Sequence, residues 1–160
     1  HRLVTYGLIH ADFYHLLFNM ITLFFFGRAM EPRYAAHLGS TGFLLFYIGA
    51  LVVSILPTFL ANRHNPNYRS LGASGAVSAV LFAFILWMPW ARMVVFVIPM
   101  PAIVYAVLYV AYSIWMDRQG TDNVNHSAHL WGAAYGIAFT LIMQPDLFSH
   151  FLSELARPRF

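Results

Sequence analysis

Residues 72–87 read GASGAVSAVLFAFILW, a glycine-framed serine, Ser74, opening a run in which no charge appears from Ala76 to Trp87. The stretch from Ile21 to Phe26 is equally free of charge. A globular core of this length would alternate apolar faces with charged ones, so whole uncharged runs point to helices whose solvent is lipid. The rest of the chain agrees: of 160 residues 60% are hydrophobic and 9% charged, and the mean hydropathy is positive, far from the balance of a soluble domain.

Working outward, five runs approach the roughly 20 apolar residues that a helix needs to cross a ~30 Å hydrocarbon layer. They are Phe13 to Met30, Thr41 to Leu60, Ser74 to Met88, Met93 to Trp115 and Ala128 to Met143. Helix is the required form because lipid cannot satisfy backbone polar groups. The segments between them, Glu31 to Ser40, Ala61 to Leu71, Pro89 to Arg92 and Asp117 to Asn125, are polar and read as connections. Within the fourth run, Pro99 and Pro101 set the start of regular helix near Pro101. The expected fold class is all-α: one polytopic transmembrane bundle over residues 1–160 with about five helices. The chain starts at His1 with no leader pattern and is read as truncated at its N-terminus. Arg28, Arg33, Arg92, Arg157 and Arg159 fall on one side of these spans and Arg2, Arg63, Arg69 and Arg118 on the other, which favours a cytoplasmic C-terminus.

The formal charge of +3 comes from arginines scattered between the apolar runs, which gives no support to nucleic-acid binding. The absence of cysteine removes disulfides, thiolate metal sites and a cysteine nucleophile together. Hydrolysis, if present, then falls to a serine or a metal.

Polar side chains inside apolar runs are expensive and need a reason. Here they are His15, Asn19, Thr22, Ser74, Ser78 and His129. Each has an ordinary explanation, since a helix serine bonds a preceding carbonyl and an intramembrane His or Asn ties two helices together. Each also fits a hydrolase. Gly72-Ala73-Ser74-Gly75 sets Ser74 at a helix N-terminus, with unpaired N–H groups and a favourable dipole for an oxyanion. His129 is followed by Gly132 and Gly136, a spacing that lets helix backbones approach, and the third run offers Gly75, Ala79 and Ala83 as the matching face. Close packing of the two brings the His129 imidazole within reach of the Ser74 hydroxyl. No carboxylate lies in either run, and Asp117 and Asp122 belong to the aqueous connection, so a Ser-His dyad is implied and not a triad. His15 and Asn19 stand one helical turn apart and face the same way, as oxyanion donors beside the serine's own N–H would. His10 braces the preceding loop. No cofactor or metal is called for.

Taken in order, His10-x4-His15-x3-Asn19, Gly72-Ala73-Ser74-Gly75 and Ala128-His129-x2-Gly132-x3-Gly136 resemble the rhomboid family of intramembrane serine proteases, over nearly the whole chain. Glu31 and Arg33 resemble the acidic and basic pair that closes the second helix of the family core. The resemblance implies a six-helix core of which this chain carries five. It also implies a water-filled cavity open to the non-cytoplasmic side, with Ser74 as nucleophile, His129 as base, and His15 and Asn19 at the oxyanion. The implied substrates are transmembrane segments of other membrane proteins, and the implied location is a multi-pass position in a prokaryotic inner membrane. In the family, the loop before the last helix acts as a cap and the fifth helix as a lateral gate, here Asp117 to Asn125 and Pro101 to Trp115. Two departures stand out. The first core helix has no counterpart, and Ser78 occupies a position where some members carry a tyrosine stacked on the catalytic histidine. His126 resembles a histidine found in many members, without an assigned role.

Two other readings remain. A rhomboid-like pseudoprotease would bind membrane clients without cutting them. A metal or haem carrier would use His10, His15, His126 and His129 as ligands.

Overall fold

A computed structural model of the chain describes residues 2–95, 97–120 and 124–158; Asp122 and Arg159 lie outside the described residues. A short helix α1 (Arg2–Thr5) leads through a 3-10 turn, Tyr6–Leu8, to Asp12. The Asp12 carboxylate accepts the His15 backbone N–H at 2.8 Å and so starts α2 (Phe13–Thr22). A π-helical turn, Leu23–Gly27, carries α2 into α3 (Arg28–Leu38), giving one continuous helix of 26 residues, Phe13–Leu38. It ends at Gly39, whose φ of 77° only glycine adopts without strain. The connection expected from Glu31 to Ser40 is therefore helical as far as Leu38. Pro32 falls in the second turn of α3, and losing one N–H there does not stop a helix that arrives already formed from α2.

After α4 (Gly42–Asn62) comes α5 (Ser74–Trp87), the centre of the bundle. Every residue of α5 from Gly75 through Leu86 is buried. Phe13–Leu38 and Gly42–Asn62 are long and apolar enough to span a membrane, whereas α5 is shorter and wrapped by protein. α7 (His126–Met143) and α4 flank it, while α6 (Ala102–Gln119) joins along α7 and α8 (Leu147–Leu155) closes one end. Large apolar side chains such as Leu44, Leu45, Val107, Leu108 and Ile142 point outward. An aqueous surface would penalise such a periphery, and a lipid one suits it. The chain is a helical integral membrane bundle, as its composition indicates.

The fourth apolar run becomes helical only after Pro101, as its prolines indicate, and a hairpin that was not expected precedes that helix. β1 (Arg92–Val95) and β2 (Ile98–Pro101) pair antiparallel, with Arg92 opposite Pro101 and Val95 opposite Ile98. Valine, isoleucine and two prolines favour extended backbone, and an apolar run alone does not separate strand from helix. Regular helix begins at Ala102, just after Pro101, and stops at Gly120 in the left-handed conformation, φ 59°. Asp117 consequently belongs to the last turn of α6 and not to a loop.

Candidate active site

The site begins where α5 and α7 touch. A Cβ on Gly132 would collide with the carbonyl oxygen of Gly75, and one on Gly136 with that of Ala79, so the two backbones lie in direct contact along two turns. Gly75 is in turn covered by Ser54 of α4, whose Oγ would stand 2.6 Å from an added Cβ. This contact sets the level of His129, three residues before Gly132, against the first residue of α5. His129 Nε2 lies 2.7 Å from Ser74 Oγ.

Asn125 fixes the start of α7. Its Oδ1 accepts the Ala128 backbone N–H at 2.9 Å and the Thr58 hydroxyl of α4 at 3.3 Å, while its Nδ2 donates to Tyr68 Oη at 3.3 Å. The histidine-bearing helix is thereby tied both to α4 and to the segment that leads into Ser74.

Gly72 is needed twice over. Its φ is 95°, and an added Cβ would lie 2.5 Å from His15 Cε1 and 2.6 Å from His15 Nε2. The His15 ring thus rests on the peptide two residues before Ser74. His10 meets His15 edge to face at 5.1 Å between ring centroids, consistent with a bracing role. His15, Asn19, Ser74, Tyr105, Tyr109 and His129 share the wall of one cavity of about 1180 Å³. Asn19 is 6% exposed, and its Nδ2 has no hydrogen-bond partner among the described residues. A donor left unpaired at that depth is costly unless something enters the cavity to accept from it. The first N–H groups of α5 have no intrahelical partners, and Ala73, the N-cap, supplies no side-chain acceptor. Serine hydroxyl, imidazole, amide and helix start therefore converge on one cavity.

Other singled-out residues lie elsewhere or act locally. Thr22 donates to Phe18 O and Ser78 to Ser74 O, each at 2.8 Å, the ordinary back-bonding of helix hydroxyls. Glu31 is exposed, and Arg33, two residues on and on a different face, donates to the Ala29 carbonyl. The Arg33 guanidinium also sits 5.0 Å from the ring centre of Trp87, at the end of α5 remote from Ser74. His126 and His129 meet edge to face at 5.7 Å. No group of three or more His, Asp or Glu among the described residues is arranged to hold a metal ion.

The roles of two residues at the site escaped the sequence reading, which placed Asn125 only at the end of a loop and Tyr109 only in a tyrosine stripe with Tyr105 and Tyr112 that packs or lines the gate. Asn125 is legible in hindsight as an N-cap, since it directly precedes the first turn of α7. Tyr109 of α6 stacks on the His129 ring at 6.1 Å between centroids and 25° between planes. No spacing rule finds it, because the contact exists only once α6 is docked on α7.

Against known proteins, residues 1–146 match the family model described as the Rhomboid domain. The chain is 34% identical over 148 residues to RHOMBOID-like protein 12, mitochondrial, of Arabidopsis thaliana, covering 84% of this chain and 44% of that protein. It is 32% identical over 141 residues to the Putative rhomboid protease YdcA of Bacillus subtilis, covering 88% and 66%. With the human Presenilin-associated rhomboid-like protein, mitochondrial, identity is 31% over 133 residues, covering 80% and 34%. The chain thus spans less than two thirds of the length of each of these relatives. No solved structure matches it. Mitochondrial and bacterial proteins stand side by side here, so an integral membrane location is supported and the expected prokaryotic inner membrane is not.

Proposed function

The chain belongs to the rhomboid family, and on that premise we propose that it is a serine endopeptidase that cuts transmembrane segments of other proteins within the bilayer. The observation that carries this reading is the 2.7 Å approach of His129 Nε2 to Ser74 Oγ at the start of a buried helix. His129 takes the Ser74 proton as Oγ attacks the scissile carbonyl, then returns it to the leaving amine. The new C–O bond leaves an acyl-enzyme, which water entering from the cavity hydrolyses with His129 again as base. The developing oxyanion is met by the α5 N-terminal N–H groups, the Asn19 amide and the His15 ring. Charged intermediates in a lipid-embedded protein need such preorganised donors, because the surrounding lipid does not stabilise charge.

A transmembrane substrate is supported by the lipid-facing exterior, which puts the site of a membrane-embedded bundle within reach of neighbouring membrane segments. We assign the open end of the cavity to the non-cytoplasmic side. The experiment is cleavage of a model transmembrane substrate in liposomes by the wild type, Ser74→Ala and His129→Ala. Both variants are expected to lose cleavage while keeping the helical circular dichroism of the wild type, and a fluorophosphonate is expected to label Ser74 alone. An unlabelled, inert wild type in folded form would turn the reading to a client-binding pseudoprotease.

A further inference from the structure

A Ser-His dyad works only if its imidazole is held in the plane that faces the serine. We infer that Tyr109, on α6, is the positioning residue for His129, and that Ser78 anchors its ring to the helix that carries the nucleophile. The inference rests on the protease reading for its meaning, but its geometry is independent of it. The Tyr109 ring stacks nearly parallel on His129, with 25° between the planes. Its hydroxyl lies 2.5 Å from Ser78 Oγ. Ser78 has one hydroxyl hydrogen and gives it to Ser74 O at 2.8 Å, so the Tyr109 hydroxyl is the donor to Ser78. One side chain of α6 is thus bound by its ring to the base and by its hydroxyl, through Ser78, to the backbone of the nucleophile itself.

A second contact repeats the arrangement one turn on, where Tyr112 meets His126 edge to face at 5.6 Å. Tyr105 and Phe82 flank the Tyr109 ring, each 5.6 Å away between centroids, and leave it little room to swing. Ser78 is 4% exposed and too small to reach over His129 itself. A ring delivered from the neighbouring helix occupies the place that a larger residue at position 78 would fill from the same helix. His129 alignment therefore depends on the docking of α6, and a substrate or lipid that displaces α6 disturbs the base along with it.

The test uses the full chain labelled with 15N-histidine in lipid nanodiscs, with wild type, Tyr109→Phe, Tyr109→Leu, Ser78→Ala and the double variant S78Y/Y109L. Two readouts are taken: the His129 ring proton and nitrogen shifts, and kcat and KM on a transmembrane substrate. Tyr109→Phe keeps the ring, so His129 should retain its upfield ring-current shift, with kcat lowered about two- to fivefold, and Ser78→Ala should do the same. Tyr109→Leu should abolish the shift and lower kcat by about 10- to 100-fold, with KM changed less than about twofold, because misalignment costs the chemical step and not binding. S78Y/Y109L should recover a large part of kcat by restoring a ring from α5. Equal kcat in Tyr109→Leu and wild type, or an unchanged His129 shift in Tyr109→Leu, overturns the inference even where Ser74-dependent cleavage is intact. If the wild type does not cleave at all, the protease reading fails by itself, and the shift comparison still decides whether Tyr109 holds His129.

Discussion

Gly132 of α7 lies against Gly75 of α5 so closely that a single added carbon would strike the Gly75 carbonyl oxygen. The contact is one turn away from the Ser74–His129 pair and sets the separation of the two helices that carry it. Gly132→Ala must push α7 outward, since a backbone carbonyl cannot swing aside as a side-chain end can. Overpacking of this kind costs about 1–3 kcal/mol, and displacement of the base by about 1 Å lowers kcat by roughly 100-fold. Thermal unfolding in detergent and cleavage rate check the two together. Wild-type turnover in Gly132→Ala would show that the helix contact does not set the dyad distance.

Gly72→Ala should be worse for activity than for the global fold. The substitution forces a side chain onto a φ of 95° and drives its Cβ into the His15 ring, two residues before the nucleophile. Strain of about 1–3 kcal/mol is expected there, and its relief requires either the His15 ring or the Ser74 peptide to move. Fluorophosphonate labelling of Ser74 is expected to slow by more than tenfold, while the helical content stays that of the wild type. Labelling at the wild-type rate would remove Gly72 and His15 from the machinery of the site.

Asn125 separates helix capping from the rest of its network. Asn125→Ala removes the acceptor for the Ala128 N–H and the ties to Thr58 and Tyr68 at once, whereas Asn125→Asp keeps the acceptor and loses the amide donor. The cap is worth about 0.5–2 kcal/mol. Asn125→Ala should lower the thermal midpoint and turnover together, and Asn125→Asp should recover most of the stability. Equal stability in both variants and wild type would mean that the start of α7 is held by packing alone.

The features that were legible in the sequence are those set by neighbours along the chain. Ser74 at a helix start, the Gly132 and Gly136 face, and the His15–Asn19 turn are all spacings within one helix, and helix geometry converts them directly into positions. The pairing of Gly75 with Gly132 was legible too, because two small-residue faces on apolar helices have few other ways to pack. The start of α6 was legible from Pro101, but the pairing of β1 with β2 before it was not, since an apolar run of valine, isoleucine and proline does not by itself announce a hairpin. The polar composition of Glu31 to Ser40 suggested a connection, which the incoming helix overrides as far as Leu38. The role of Tyr109 was out of reach for a different reason: Tyr105, Tyr109 and Tyr112 form one aromatic stripe along α6, and only docking on α7 singles out the ring that lies on His129.

Asn19 gives stability and activity opposite signs. Its Nδ2 is buried at the cavity wall with no partner among the described residues, a state that costs the resting protein about 1–3 kcal/mol. Asn19→Leu is close in shape and removes the orphaned donor, so the thermal midpoint should stay level or rise. The same change takes one donor from the oxyanion, where loss of a single donor costs on the order of 10²–10³ in kcat when it acts alone. Here the α5 N–H groups and His15 remain, so a loss of about 10- to 100-fold is expected, with KM little altered. An amide retained only for packing would behave in reverse, with Asn19→Leu lowering the midpoint and sparing kcat. Measuring both quantities on the same preparation therefore tells a donor kept for the transition state from one kept for the fold.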